Sequence, residues 1–334
     1  MAVRAVDPVS SRFHAVFGAP DSSDGVIRVE SARLAELWDL TDQLNYSEKS
    51  GVLATPIDAD GSFDAWKASP LDLVRVRIEN PWFLHALRDE QFHFHFQPIV
   101  DLRTSVVHGN EALVRATHEG SPVSPAVLIE SARAHRLLLN FDQTCRSIAI
   151  RQGAPVVSSG SRIFINFMPT TVYDPQVCLR TTFAAARDAG VGLSDLVFEV
   201  VESESFPDIG HLRSILDKYR AEGAKVALDD VGAGNTDLDF VDELRPDYVK
   251  LDRAILQRAV ATGSTAMYIG LVRHCQELDV QVIAEGIETR TELEFCRELG
   301  IDFAQGFFLA RPQSNPITGT LELDGDQPAH RIAA

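Results

Sequence analysis

Cysteine is scarce in this chain: four residues in 334 (Cys145, Cys178, Cys275 and Cys296), with no C-x-x-C pair. That spacing argues against a disulfide-stapled scaffold or a zinc ribbon, and predicts reduced thiols packed as small apolar groups. Basic charge is short as well. Lys and Arg number 31 against 48 Asp and Glu, a net charge of −17, so no basic excess exists to hold a DNA or RNA polymer or an anionic membrane. No apolar run approaches the ~18 residues of a membrane span, and the opening MAVRAVDPVSSRF lacks the apolar stretch of a signal peptide. Together these absences predict a cytoplasmic protein. A dinucleotide fingerprint is missing too: Gly232 and Gly234 are followed by Asp237 where the last glycine of G-x-G-x-x-G belongs. What remains is an ordinary globular composition, 45% apolar and 24% charged, at a length suited to one large domain with an appendage.

The first 80 residues differ from the rest. Pro20 to Gly25 read as loop, and Leu34, Leu37, Thr41 and Leu44 recur at helical spacing beside Trp38. They predict one amphipathic helix starting near Ser31. Ser47 to Pro70 read as a loose connector. Asp58-Ala-Asp60-Gly61 resembles part of a calcium loop, but the glycine comes too early and no Glu follows at the last ligand position. Residues 1–80 are therefore expected to form an extension of unassigned role, too short for a second sizeable core.

From Trp82 onward strand-like and helical stretches alternate. The predicted strands are Phe92–Ile99, Glu111–Arg115, Ile163–Phe167, Leu196–Val201, Lys225–Asp229, Tyr248–Leu251, Val280–Ala284 and Phe303–Phe308. Eight strands with helical crossovers signify an α/β (β/α)8 barrel. Only the short turn Thr104–Asn110 joins the first two strands, so they should pair antiparallel. Residues 315–334 show no clear period and are expected to form a mobile tail.

Barrel chemistry gathers where the strands end. Those positions carry Glu111, Asn166, Glu199 with Glu202 beyond it, Asp229-Asp230, Lys250 with Asp252, Glu285 and Gln305. Glu111 fits least, since it opens its predicted run; an antiparallel second strand would bring it to the same rim. Clustered carboxylates repel one another unless cations lie between them. An oxygen-rich set without His or Cys suits Mg²⁺ or Mn²⁺. Adjacent aspartates normally point to opposite sides of a strand, but a turn at the strand end releases that alternation. His93 and His95 alternate along FHFHF and read as packed or half-exposed strand residues.

Taken in order and spacing, Gln97-Pro-Ile, Glu111-Ala-Leu-Val-Arg115, Asn166, Glu199-Val-Val-Glu202, Asp229-Asp230, Lys250-Leu-Asp252, Ala284-Glu-Gly-Ile-Glu288 and Gln305-Gly-Phe-Phe resemble the EAL domain family. The resemblance covers roughly Trp82 to Pro312. It implies a bacterial cyclic-di-GMP phosphodiesterase on a modified TIM barrel with one antiparallel strand, spanning residues 81–314. In that pattern Glu111, Asn166, Glu199, Asp229, Asp230 and Glu285 would bind two Mg²⁺ or Mn²⁺ ions. Lys250 and Glu202 would serve catalysis, Lys250 by holding or deprotonating the water and Glu202 by holding the loop after strand five. Gln97, Leu113, Arg115, Asp252 and Gln305 would form the substrate side, with Asp252 and Glu288 also supporting the metal ligands. The product would be linear pGpG, and the assembly a homodimer.

One stretch departs from the family. Where its members usually read D-D-F-G-[TA]-G-[YF]-[SA]-S, this chain has Asp229-Asp230-Val231-Gly232-Ala233-Gly234-Asn235-Thr236-Asp237. That departure bears on regulation and turnover rate more than on metal binding. It motivates an alternative function, a weak or inactive module that binds cyclic-di-GMP or a protein partner.

Overall fold

The structure, a computed structural model, describes residues 1–5, 9–18, 26–55, 68–200, 208–232 and 238–323. They form two compact units, Met1–Asp89 with Ser124–Leu138, and Glu90–Val123 with Leu139–Ala334.

In the first unit, strands β1 (Ala2–Ala5), β2 (Ile27–Arg28), β3 (Val52–Thr55) and β4 (Ser69–Pro70) pair antiparallel in the order β2-β1-β3-β4. Helices α1 (Ser10–Phe17), α2 (Leu34–Asp42), α3 (Tyr46–Ser50), α4 (Leu71–Glu79), α5 (Trp82–Arg88) and α6 (Pro125–Ala134) complete it. Val3, Phe13, Leu37, Val52, Leu71 and Val74 belong to one buried cluster. The expected amphipathic helix is α2, entered through a 3₁₀ turn at Ser31–Arg33. The expectation of a single helix without a core of its own is corrected. So is the connector: Asn45 and Glu48 form a capping box that starts α3, and β3 follows. Asp58 and Asp60 lie outside the described residues.

The second unit is the predicted barrel. Its strands are β5 (His93–Asp101), β6 (Val107–His118), β7 (Ser121–Val123), β8 (Arg162–Phe167), β9 (Leu196–Val200), β10 (Lys225–Val231), β11 (Tyr248–Leu251), β12 (Gln281–Ala284) and β13 (Phe303–Ala304). Pairing runs β5-β13-β12-β11-β10-β9-β8-β6, and β5–β6 closes the ring of eight, with β7 a hairpin partner of β6 outside it. Between the strands lie α7 (Leu138–Ser158), α8 (Pro175–Cys178), α9 (Arg180–Asp188), α10 (Ile209–Ala221), α11 (Leu238–Leu244), α12 (Arg253–Thr262), α13 (Ala266–Glu277) and α14 (Arg290–Glu298). Strands covered on both faces read as continuous apolar runs. Accordingly β9, LVFEV, is buried throughout, and Glu199 is its one charge.

The reversed strand is the first, not the second. β5 is antiparallel to both its neighbours, β6 and β13, whereas β6 runs parallel to β8. Nor does Glu111 open its strand, because four residues of β6 precede it. Phe303–Phe308 is strand only at Phe303–Ala304. The tail expectation is corrected for residues 315–323. Val107 N–H donates to Gly319 O (2.7 Å) and Leu321 N–H to Ser105 O (2.9 Å), and Leu321 and Leu323 are buried. Residues 324–334 lie outside the described set. The four cysteines are free. Among the described residues no helix is long and apolar enough to cross a membrane.

One buried ion pair ties α7 to the barrel wall. Arg146 Nη2 lies 2.8 Å from Asp142 Oδ2, and Arg146 Nη1 donates to Tyr219 Oη (3.0 Å). Asp142 also accepts from Met168 N–H (3.0 Å) and Thr171 Oγ1 (2.8 Å). Removing one member strands the other charge inside. Arg146→Ala is expected to lower unfolding stability by about 3–5 kcal/mol in urea titrations, and a loss under about 1 kcal/mol would show the pair to be dispensable.

Candidate active site

The mouth of the barrel gathers its acids around one lysine. Lys250, the third residue of β11, is 1% exposed. Its Nζ lies 2.8 Å from Glu285, 3.0 Å from Asp229, 3.3 Å from Glu199 and 3.4 Å from Glu111. These four side chains come from β6, β9, β10 and the end of β12, so barrel closure itself brings them together.

Asp229 and its neighbour Asp230 both reach the site because β10 bulges. Between Leu228 and Val231 it carries one residue more than β11 opposite, and Asp230 takes a left-handed φ of 54°. A bulge breaks the alternation that would aim adjacent side chains apart. Aspartate tolerates that backbone region better than most residues. The release expected at the strand end is thus a bulge inside the strand.

Carboxylate oxygens of Glu111, Glu199 and Asp229 lie within 4.8 Å of one another, and so do those of Asp229, Asp230 and Glu285. Asp229 is common to both triads. Asn166 and Gln305 frame Glu111: Asn166 Nδ2 donates to Oε1 (2.8 Å) and Gln305 Nε2 to Oε2 (2.7 Å). Gln305 Nε2 also donates to Gln97 Oε1 (3.2 Å), and Gln97 Nε2 to Ala310 O (3.2 Å).

The acids titrate unlike one another. Burial pushes Glu111 up, but Lys250 and the two amides outweigh it and hold the carboxyl below its ordinary value. Burial pushes Glu199 well above its ordinary value, because only Lys250 opposes it and the other acids add to it. Burial and then Asp229 raise Asp230 to about 6, and burial raises Glu285 to about 8 against the pull of Lys250. Burial pulls the Lys250 ammonium down, but its four carboxylates raise it well above its ordinary value.

Both oxygens of Glu199 are buried without a hydrogen-bond donor, since Lys250 approaches without hydrogen-bond geometry. Orphaned buried carboxylate oxygens, in a set of oxygen donors only, fit hard divalent cations. The residues present therefore suit a metal centre.

Other predicted site residues fall around this ring. A cleft lined by Gln97, Glu111, Leu113, Glu285, Glu288 and Gln305 opens onto it. Arg115 stands two residues beyond Leu113, half-buried, and donates to Val114 O (2.8 Å). Asp252 caps α12, accepting from Ala254 N–H (2.8 Å). That assigns its carboxylate a local structural task which the strand-end reading does not separate from substrate binding. Glu202 and residues 233–237 of the altered loop lie outside the described residues. His93 is exposed and His95 half-buried, their rings 5.7 Å apart.

Sequence reasoning overlooks Arg253, Gly286, Gly306 and Phe307, which also line the cleft. Arg253 pairs with Glu288 (2.8 Å). Gly306 is sterically required, because a Cβ there would lie 2.2 Å from the backbone N and O of Ile287. Their signal is adjacency, for each directly abuts a singled-out acid or amide or follows one step on. Gly306→Ala must push two backbone segments apart and is expected to destabilise by about 1–3 kcal/mol. An unchanged melting temperature would contradict that packing.

A family model described as the EAL domain matches residues 81–312. The chain is 30% identical over 227 residues to a probable cyclic di-GMP phosphodiesterase of Escherichia coli, a match covering 65% of this chain and 44% of that protein. It is 28% identical over 232 residues to a cyclic di-GMP phosphodiesterase of Pseudomonas aeruginosa, covering 68% of this chain and 30% of that one. It thus spans less than half the length of these curated relatives. Among solved structures it is similar to a standalone versatile EAL protein from Vibrio cholerae in its c-di-GMP-bound form. The TM-score there is 0.61 at 29% identity, covering 69% of this chain and 95% of that chain.

Proposed function

The chain belongs to the EAL domain family, and from that premise we propose that it hydrolyses cyclic di-GMP to linear pGpG with two divalent cations, Mg²⁺ or Mn²⁺. The observation that carries this reading is the pair of carboxylate triads sharing Asp229. A shared carboxylate between two oxygen-donor sets is what a two-cation phosphoryl centre needs. Glu111, Asn166, Glu199, Asp229, Asp230 and Glu285 are the residues that would hold the cations. When bound, such ions supply charge that lowers the pKa of water and offsets the substrate's anionic phosphates.

In the reaction, a water oxygen bonds to phosphorus and the P–O3′ bond breaks; one of the water's protons ends on the leaving O3′, and the other stays on the new terminal phosphate or is released to solvent. Lys250 lies within its ring of carboxylates, and its part in this reading is to hold or deprotonate the water. Asn166 and Gln305 fix the orientation of Glu111 by gripping both its oxygens. The cleft with Leu113, Gln97 and Arg115 near it forms the substrate side. The catalytic segment is 81–314, with residues 1–80 and 315–334 outside it. The reading further includes a cytoplasmic homodimer, which light scattering of the purified chain checks for its oligomeric part.

The test is turnover by the full chain in Mg²⁺ and in Mn²⁺, with product identified by chromatography. Conversion to pGpG that stops on chelation is expected. Nucleotide binding without product would instead make the chain a receptor, and neither binding nor turnover would overturn the reading.

A further inference from the structure

Glu285 reaches the carboxylate ring from a turn that pivots on a glycine. Gly286 follows it with a left-handed φ of 64°, a region that glycine enters and leaves freely. On either side the backbone is tied. Glu285 N–H donates to Leu251 O (3.2 Å), Ile287 N–H to Gln305 O (3.0 Å) and Glu288 N–H to Glu292 Oε2 (2.8 Å). At the glycine a side chain closes the turn. A Cβ on Gly286 would lie 2.4 Å from Cγ, 2.5 Å from Cδ and 2.6 Å from Cβ of Arg253, so the arginine stem already occupies that space.

Beyond the stem, the Arg253 guanidinium pairs with Glu288 (2.8 Å), two residues past the glycine. Arg253 therefore clasps the turn at two points. It opens α12 directly after Asp252, and Lys250 stands three residues earlier. One short stretch thus supplies both the ammonium of the ring and the clasp on one of its acids. The ion pair is open to water, its side chains 48% and 36% exposed, and such pairs add little to folding stability. What the clasp fixes is the direction of the Glu285 carboxylate, which has an oxygen within 4.8 Å of those of Asp229 and Asp230. Carboxylates that hold a cation depend on outer partners of this kind for their orientation.

We infer that Arg253 is a positioning residue for the cation set of Asp229, Asp230 and Glu285: its stem packed on Gly286 and its charge on Glu288 hold the Glu285 carboxylate in place. This inference rests on the two-cation reading and adds to it a residue that acts through Glu285. A residue in that role governs cation affinity and leaves the KM for the dinucleotide nearly unchanged once the cation sites are full.

The test titrates Mn²⁺ into the metal-free full chain by calorimetry, without nucleotide, for the unaltered protein, Arg253→Ala and Arg253→Lys. Cyclic di-GMP turnover is then measured at saturating Mn²⁺. Arg253→Ala removes both stem and charge. It is expected to weaken Mn²⁺ binding roughly tenfold, with KM at saturating Mn²⁺ changed less than about twofold. Arg253→Lys keeps a stem on Gly286 and a cation beside Glu288, and is expected to recover most of the Mn²⁺ affinity. If Arg253→Ala binds Mn²⁺ as the unaltered chain does, the clasp is wrong and the phosphodiesterase reading stands. The same follows if its KM rises while Mn²⁺ affinity is intact, which would make Arg253 a substrate contact instead. If the unaltered chain neither binds Mn²⁺ nor hydrolyses cyclic di-GMP, the two-cation reading falls and the clasp falls with it.

Discussion

Glu111→Ala is expected to lower cyclic di-GMP turnover about 10²–10³-fold, the loss that follows removal of one electrostatic contact to a transition state. Glu111 belongs to the first triad, and two amides converge on its carboxylate. The substitution removes one oxygen ligand and leaves the Asn166 and Gln305 donors without their acceptor. Folding should survive, because Lys250 keeps three carboxylates and the ring loses one repelling charge. Glu111→Gln is the sharper control, since it keeps the shape and removes the charge. Saturating metal should recover part of the Gln variant's rate and little of the Ala variant's. Activity of Glu111→Ala within tenfold of the unaltered chain at saturating metal would sink the assignment.

The barrel was legible because buried parallel strands leave apolar runs such as LVFEV and YVKL, and each crossover helix leaves its own period. Strand direction was less so. Antiparallel pairing of the first two strands follows from their short turn, but only the register of β6 with β8 reveals which of the two is reversed. The first unit's sheet was missed for a different reason. Ala2 faces Thr55, and β2 and β4 are two residues each, so the pairing leaves no local period to read. The 315–323 segment hid similarly, holding on through backbone bonds and two alternating leucines. In the site, acids at strand ends announced themselves because a buried carboxylate in an apolar run is costly without a purpose. Asp252 shows the limit of that argument, since a strand-end acid that opens a helix is also what an N-cap looks like. Phe307 shows the converse. In Gln305-Gly-Phe-Phe nothing local says which phenylalanine is core and which faces the cleft.

Lys250→Met should turn the metal-free barrel mouth from a partly neutralised cluster of acids into a more strongly repelling one. In chelator at pH 8 the variant is expected to lose about 3–5 kcal/mol of stability, the loss typical of removing one partner from a buried ion pair. The pH dependence has a defined sign. Glu285 in the folded chain is raised to about 8 and Asp230 to about 6, above their ordinary values of 4.5 and 3.8. A carboxyl whose folded pKa is raised binds more protons folded than unfolded, so stability is greatest at low pH and falls as pH rises through the folded pKa. The metal-free unaltered chain should therefore lose stability between about pH 4 and 8. Without the ammonium, the carboxyls of Glu199, Asp229 and Glu285 rise further and Glu111 loses the charge that holds it down, so the variant's deficit should widen with pH and shrink near pH 5. A divalent cation can take over the neutralising charge, and Mg²⁺ or Mn²⁺ should raise the variant's melting temperature more than that of the unaltered chain. Thermal denaturation across pH 5 to 8, with and without Mn²⁺, measures all of this. Equal stability of the two proteins in chelator at pH 8 would mean that Lys250 does not neutralise the ring, and the electrostatic account of the site would have to be abandoned.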